Sequence, residues 1–475
     1  MKKLLSILIL VMTLLLGGCA SQNPEVTTEP TVMEPTGTET AGAAHQPYTG
    51  SLEDYTYYYA DGRDLEWEED VLYTAETFLN EAHPLLTDED VQISFAMSSA
   101  SMDYCPFYDE AARTQFLQDI NDLIPCIAEL KDEQILLALQ KAIAKLGDLN
   151  SYVHFPMERV YPIFFTTFFS DKGTVYRAVM MPKESSQLLL GKLVAINGTP
   201  IGEVKQMLMD YSSYENEYAA AYSISQFLSQ PAYLEAIGIT DGDAPVKFRF
   251  LDEEGEKIDL SLTPVNYADL KTDDLAENSL VSLRDADNSC NYWWDYLEEK
   301  QALYIRFNRI EEESSLVYSS FIEQLRQHLS QEPKTQMVIV DLRGTPGGTF
   351  DSSLSIDLGN LLDQLEGQKS YVLVDASSTG AAILLSSCLR QRSASTVLVG
   401  NPGGQPANFF DSFNSYDMPN SGHGFSMSDF YWIADENDTN EALMPDIVLY
   451  QTAEDYMEGK DTVLEAIFSG SLPTR

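Results

Sequence analysis

The chain has 475 residues and a formal net charge of −45 at pH 7, from 29 basic and 74 acidic side chains. No cationic surface is available to displace counterions, so a nucleic-acid partner is not expected. The length exceeds one typical domain and indicates two or three folded units.

The N-terminus predicts a secretory signal over residues 1–18. Lys2 and Lys3 precede a largely apolar run that is too short for a comfortable membrane span. Small residues before Cys19 resemble the bacterial lipobox, in which the cysteine is acylated and becomes the mature N-terminus. We therefore expect lipid on Cys19 to hold the protein on the outer face of a bacterial membrane. An ordinary signal peptide with an incidental cysteine is the alternative.

The next two segments differ in composition. Residues 19–50 are rich in Thr, Pro, Glu, Gly and Ala, which predicts a flexible stalk. Residues 51–160 show helical spacing of apolar residues, first around Val71 to Leu79 and again from Asp132 to Leu146. This part is predicted to be a helical N-terminal region.

Residues 161–272 follow a two-residue period and predict an α+β module, which we interpret as PDZ-like. Asn197-Gly198 separates two strand patterns and is typical of a hairpin turn. Val246, Phe248 and Phe250 are expected to face a second alternating run across a turn. A helical piece, 214–234, interrupts these strands.

After an acidic connection, 273–287, the last unit covers residues 288–470. Strand patterns alternate with helical patterns, which implies largely parallel pairing and a β/α core. The predicted strands are 303–307, 337–341, 371–375 and 396–400. The whole chain is thus predicted to be an α/β and α+β multidomain protein.

Two turns in this core point to chemistry. One is Gly344 to Gly348 and the other is Ser377 to Gly380; each follows a strand and precedes a helix. Such turns place backbone N–H groups and a side chain together, a common way to build an acyl-transfer site.

With these turns, the chain resembles the S41 family of serine peptidases, the tail-specific or C-terminal-processing proteases, and their bacterial lipoprotein members in particular. The likeness runs from about Glu81 to Phe468. It rests on several segments in order: 143–148, 193–201, Asp341 to Arg343 with Gly347 and Gly348, the helix after Gly380, 400–404, and 444–446 before Asp461. The resemblance implies a serine nucleophile, a histidine or lysine base, and an oxyanion pocket from the backbone of Gly347, Gly348 and Ala381.

The residues expected to react are altered in this chain. Asn150 stands at the histidine position and Gly380 at the serine position. Ile383 replaces an acid common three residues after the serine, and Thr345 replaces a loop asparagine. A serine needs a neighbouring base to become a nucleophile. We therefore predict a degenerate site that binds peptide or unfolded polypeptide with little or no proteolysis.

Two alternatives remain open. In one, Ser378 and His154 form a relocated site of an active serine endopeptidase, although Ser378 also suits a helix N-cap. In the other, the protein is purely structural or sensory.

Other candidate groups are interpreted as structural. Asp341 is expected to cap backbone N–H groups, and Arg343 to tie the glycine turn to a carboxylate. No cofactor is expected. Cys105, Cys126, Cys290 and Cys388 lack zinc-site spacing, so no metal is expected either, while their disulfide pairing stays open.

Overall fold

The computed structural model describes most of the chain beyond residue 109. It covers residues 93–94, 101–102, 110–123, 126, 130–252, 255–278, 283–365, 367–411, 415–417, 424–426, 428, 430–435 and 437–473. The predicted signal peptide, Cys19, the stalk, the helix around Val71 to Leu79, and Cys105 lie outside these residues.

Among its described residues, the N-terminal region has a short strand pair and two helices. Strands β1 (Ile93–Ser94) and β2 (Ser101–Met102) pair antiparallel. Helices α1 (Glu110–Leu123) and α2 (Asp132–Ala144) pack against each other. Asp132 and Glu133 lie in the first turn of α2, where negative charge is favourable. Helix α2 ends two residues before the predicted Leu146.

The middle of the chain folds into a twisted sheet with three helices. Its strands, β3 to β12, are Tyr152–Val153, Arg159–Val160, Phe164–Phe168, Val175–Pro182, Lys192–Ile196, Thr199–Pro200, Val246–Leu251, Lys257–Leu262, Val265–Asn266 and Leu275–Glu277. Helices α3, α4 and α5 are Ile201–Met209, Glu217–Phe227 and Pro231–Ala236. The main sheet has the order β10-β9-β7-β6-β12, with β5 on β6 and β8 on β7.

The two predicted hairpins of this module are confirmed. Asn197 and Gly198 both adopt positive φ, as a two-residue hairpin turn requires. Phe248 pairs with Leu260 and Phe250 with Ile258, so the apolar faces align.

Three features of the module differ from the prediction. Helix α3 begins at Ile201, where a strand was expected, and the single helical piece is two helices, α4 and α5. The acidic connection contributes β12, which pairs with β6. Charge-rich composition concealed this strand, because its pairing partner lies about 95 residues earlier in the chain.

The described residues of the last third form ten strands and five α-helices. Strands β13 to β22 are Tyr292–Leu297, Ala302–Phe307, Met337–Asp341, Lys369–Val374, Thr396–Gly400, Asn408–Asp411, Ser415–Asp417, Gly424–Ser426, Phe430–Ile433 and Ile447–Val448. Helices α6 to α10 are Tyr318–Gln331, Ser352–Asp363, Ala381–Arg392, Ala453–Met457 and Thr462–Ser469.

The central sheet has the order β13-β14-β15-β16-β17-β22. Strands β14 to β17 run parallel, as predicted. Two strands were not predicted: β22, which joins them in parallel, and β13, which is an antiparallel edge strand. Helices α6, α7 and α8 cover one face around Phe321, Leu358 and Leu385, and α10 covers the other through Val463 and Ile467. Parallel strands present their carboxyl ends at one edge, where the two glycine turns therefore meet.

Some strands pair with strands of a different predicted unit. Strand β3 pairs with β20 of the last unit, and β4 pairs with β11. Strands β18 and β21, which lie between β17 and β22 in the chain, pair antiparallel with each other. No helix among the described residues is long and apolar enough to cross a membrane.

Candidate active site

The glycine turn after β15 lies directly against the turn after β16. A Cβ atom added to Gly347 would meet Thr379 O at 3.1 Å and Ala381 N at 3.2 Å. A Cβ atom on Gly348 would lie 2.2 Å from Ile310 O, and both glycines have positive φ. Gly348 therefore leaves no room for a side chain, while at Gly347 a side chain would be tight and the positive φ would strain it.

Gly380 occupies the sharp bend between β16 and α8. Its backbone has φ 54° and ψ −124°, a conformation that glycine adopts readily and that other residues adopt only with strain. It resembles the strand-to-helix bend that presents a nucleophile in many hydrolases. The nearest atom to an added Cβ is Gly347 Cα at 3.6 Å, an ordinary contact distance. This position therefore has room for a side chain but carries none.

Backbone donors surround this bend. The N–H groups of Gly347, Gly348 and Ala381 donate no hydrogen bond to any described residue. Ala381 is the first residue of α8, where N–H groups have no partner within the helix. These donors are suited to hold a carbonyl oxygen or an oxyanion.

Asn150 lines an open cleft beside this bend and is held by two contacts. Its Nδ2 donates to Phe410 O at 2.7 Å, and its N–H donates to Asp148 Oδ1 at 2.9 Å. An amide does not accept a proton at neutral pH, so the described geometry places a hydrogen-bond donor where the resemblance implies a base.

The sequence analysis did not identify two side chains, Gln405 and Glu215, that connect the bend at Gly380 to Phe410. Gln405 Oε1 accepts the Gly380 N–H at 2.7 Å, and Gln405 Nε2 donates to the Glu215 carboxylate. Glu215 Oε1 also accepts the Phe410 N–H at 2.8 Å. Burial, with a further contribution from the charge of Asp148, raises the pKa of Glu215 well above its ordinary value. No local pattern marked these residues, since they lie 190 positions apart.

The structure does not join Ser378 to His154. Ser378 is fully buried, and its hydroxyl donates to Leu342 O at 2.8 Å and accepts the Asp375 N–H at 2.9 Å. His154 Nε2 lies 2.8 Å from Ser426 Oγ, and its ring lies 5.1 Å from that of Tyr152. No hydrogen bond links Ser378 to His154 among the described residues. The Ser378 hydroxyl thus stabilises the turn instead of facing the cleft.

The other two altered positions are also structural. Thr345 is fully buried, and its Oγ1 donates to Phe307 O at 2.6 Å. Ile383 is fully buried in the core beneath α8. Neither side chain reaches the cleft as an acid or base.

Asp341 and Arg343 form a buried charge network under the glycine turn. Asp341 accepts the Arg343 N–H and two bonds from its guanidinium, and Arg343 also binds both carboxylate oxygens of Asp461. Burial alone raises the pKa of Asp341, but the charge and hydrogen bonds of Arg343 outweigh it and hold that pKa below its ordinary value. Both residues therefore support the turn, as the sequence predicted.

An open cleft of about 150 Å³ runs beside the bend. Helix α4, the segment after α2 and both turns contribute to its wall, including Asn150, Phe155, Tyr222, Tyr233, Pro346 and Ser377. Its lining is largely apolar with a few polar groups, which is usual for a ligand site. No group of three or more His, Cys, Asp or Glu among the described residues is placed to hold a metal ion.

Comparison with known proteins supports the fold. No family model matches the chain, and no curated protein matches it in sequence. Mature CPAF complexed with lactacystin is 13% identical, with a TM-score of 0.55 over 86% of this chain and 98% of that chain. Mature CPAF is 12% identical, with a TM-score of 0.51 over 83% of this chain and 95% of that chain.

The photosystem II D1 C-terminal processing protease is 14% identical, with a TM-score of 0.37 over 76% of this chain and 92% of that chain. The likeness to the two CPAF structures, the matches above with TM-scores over 0.5, supports the S41-like fold that the sequence resemblance predicted.

Proposed function

We propose that this protein binds a peptide or unfolded polypeptide in the cleft and hydrolyses it little or not at all. The observation that carries the proposal is the bend at Gly380. Its backbone geometry and the neighbouring N–H groups, which donate to no described residue, suit a bound carbonyl, yet no hydroxyl is present at the point of attack. Binding and bond cleavage are thus separated in one site.

The expected loss of activity is large. Removing a nucleophile or its base from such a unit lowers turnover by about six orders of magnitude. Gly380 lacks the nucleophile and Asn150 lacks basicity, so both losses coincide here. Carbonyl binding through the backbone of Gly347 and Ala381 does not depend on either side chain.

The cleft itself favours a polypeptide ligand over a closed structural role. Aromatic side chains of Phe155, Tyr222 and Tyr233 line it, and they supply contact area without demanding one sequence. An open cleft distinguishes this proposal from a purely structural or sensory protein with a closed site.

The same proposal places the protein at a membrane surface. Acylation of Cys19 would hold the folded part on the outer face of a bacterial membrane, where it meets extracytoplasmic polypeptides. What supports this is the signal-like segment and the small residues before the cysteine.

The first experiment combines peptide binding with fluorophosphonate labelling. We expect the wild-type protein to bind a fluorescein-labelled unstructured polypeptide and to form no fluorophosphonate adduct. Ser223→Trp should weaken binding at least about 10-fold, because the ring fills the cleft that Ser223 lines. Ser261→Trp, on an exposed strand position, is the matched control. Stoichiometric labelling of Ser378 would instead favour the relocated endopeptidase.

A second experiment restores the missing groups. Gly380→Ser combined with Asn150→His should raise hydrolysis about 100-fold above background, because position 380 has room for the side chain. One imidazole nitrogen keeps the bond to Phe410 O while the other accepts a proton. Gly380→Ala with Asn150→His is the control without a hydroxyl. A double variant that binds polypeptide without hydrolysing it would show that the bend does not hold a carbonyl as proposed.

A further inference from the structure

Three side-chain amides line the cleft, and they differ in how firmly the protein already holds them. They belong to Gln140, Asn150 and Gln226. Gln140 is buried, its Nε2 donates to Tyr211 O at 3.0 Å, and its Oε1 accepts the Val153 N–H at 2.8 Å. Both ends of this amide are engaged within the protein, so Gln140 supports the fold.

Asn150 is held at one end of its amide only. Its Nδ2 donates to Phe410 O at 2.7 Å. A carbonyl oxygen only accepts hydrogen bonds, so this contact fixes which end of the Asn150 amide faces Phe410. The Asn150 Oδ1 is therefore directed elsewhere, and it accepts no hydrogen bond from any described residue. The side chain thus offers one oriented acceptor to the cleft that it lines.

Gln226 offers an acceptor that is not fixed in the same way. Its Nε2 donates to the hydroxyl of Ser225, its neighbour in the chain, at 3.0 Å. Its Oε1 also accepts no hydrogen bond within the described part of the chain, but no side-chain contact ties it to a distant segment. A long side chain of this kind loses rotamer freedom when it binds a ligand, whereas Asn150 is already ordered. Asn150 is therefore the better placed acceptor.

One hydrogen-bond network fixes Asn150 relative to the bend at Gly380. Gln405 Oε1 accepts the Gly380 N–H at 2.7 Å, and Gln405 Nε2 donates to Phe410 O at 3.3 Å. Phe410 O is the same oxygen that Asn150 contacts. The Ala381 N–H, which is suited to hold a carbonyl oxygen, directly follows Gly380. The donor at the bend and the acceptor of Asn150 therefore belong to one connected frame.

A secondary amide is the ligand group that matches a fixed donor and a fixed acceptor. Its C=O accepts a hydrogen bond and its N–H donates one, and the planar peptide bond holds the two groups in one arrangement. An ester or a peptide bond to proline keeps the carbonyl but has no N–H. Either would leave Asn150 Oδ1 without its partner, at the cost of a hydrogen bond.

We propose that Asn150 Oδ1 accepts a backbone N–H of the bound polypeptide, next to the carbonyl held at the bend. Asn150 is then a specificity-determining residue, because it selects a secondary amide and disfavours proline at that place. The inference rests on the proposed function and narrows its ligand class.

The test compares an unstructured octapeptide of leucine and serine with its ester analogue, in which oxygen replaces every backbone N–H. Because no N–H is left, a shift of register along the cleft cannot restore the contact. Competition against the fluorescein-labelled octapeptide measures both affinities for the full chain and for three variants. Asn150→Leu removes the acceptor, Asn150→His keeps one, and Gln226→Leu is the matched control at another amide of the cleft.

We expect the wild-type chain to prefer the octapeptide over its ester analogue, and Asn150→Leu to reduce that preference about 10-fold, because one hydrogen bond is lost from the amide complex alone. Gln226→Leu should leave the preference unchanged. Asn150→His should retain it at pH 8, where neutral imidazole accepts, and lose it at pH 5, where both ring nitrogens donate. The wild-type chain, whose amide does not titrate, is the control at both pH values.

An unchanged preference in Asn150→Leu, or a preference that Gln226→Leu reduces instead, would overturn the inference and leave the proposed function intact. A preference that survives at pH 5 in Asn150→His would also overturn it, even where Asn150→Leu does not fold. No binding of the octapeptide to the wild-type chain would overturn both.

Discussion

The two turns at the carboxyl edge of the central sheet are built in opposite ways. After β15, the side chains of Asp341 and Arg343 are buried and fully engaged in hydrogen bonds. After β16, the bend at Gly380 has no side chain, although the backbone leaves space for one. Side chains hold the first turn in place. The second turn keeps its shape although it lacks a nucleophilic side chain.

The contrast shows that the shape of a catalytic bend does not depend on the reacting residue. Gly380 is held from outside, by Gln405 on its N–H and by Gly347 packed against it. A chain can therefore lose a nucleophile at this point and retain the surrounding fold. The contacts that hold the bend involve backbone atoms and Gln405, whereas catalysis would need a side chain at position 380. The fold and the catalytic activity can therefore be lost separately.

The largest effect is expected where the first turn loses its cation. Arg343→Met leaves the buried Asp341 with only the more distant guanidinium of Arg306, at 3.9 Å, and should lower the free energy of unfolding by about 3–5 kcal/mol. Urea unfolding followed by circular dichroism measures the change. Arg249→Gln, at an exposed ion pair, should change stability little. Comparable losses in both variants would contradict the distinction between the two kinds of site.

A smaller effect separates the two glycine positions. Gly348→Ala should cost about 3 kcal/mol, because its Cβ would lie 2.2 Å from Ile310 O at a positive φ. Gly380→Ala has room and should cost only about 1 kcal/mol of backbone strain. The same unfolding assay compares them, and an equal loss would show that the bend is not open as described.

The last effect is a slope with pH and concerns Glu215, which ties the bend to Phe410. Its folded-state pKa is raised from the ordinary 4.5, so its stabilising contribution is complete below that pH. The contribution is lost as pH rises through the raised pKa, by up to about 1.4 kcal/mol per pH unit.

Glu215→Gln should flatten this fall in unfolding free energies measured between pH 5 and pH 9. Glu203→Gln, at an exposed position, should leave the fall unchanged. A slope retained in Glu215→Gln would assign the pH dependence to another group.

Local sequence patterns predicted much of the fold. The strands Met337–Asp341 and Thr396–Gly400 have the predicted bounds, and the hairpin at Asn197 has the predicted turn. These elements are specified by residues close in the chain, through period and turn chemistry. Strands β12 and β13 were missed because their pairing partners, not their composition, make them strands.

The candidate site was predicted in part. The altered residues Asn150 and Gly380 and the donors around Gly347 were identified from sequence. Asn150 lines the cleft, and Gly380 and Gly347 directly follow the lining residues Thr379 and Pro346. The Gln405–Glu215 link was not predicted, because buried polar contacts between distant segments leave no local period.

The sequence by itself determined which residues are present at the bend and at the base position, and therefore which chemistry is missing. It also determined the four strands β14 to β17 of the central sheet and the helices between them, because their periods follow from neighbouring residues. Only the tertiary structure decided that Ser378 faces the interior, that Gln405 holds the Gly380 N–H, and that Phe410 orients the Asn150 amide. Those outcomes depend on contacts between remote segments, which no local pattern encodes.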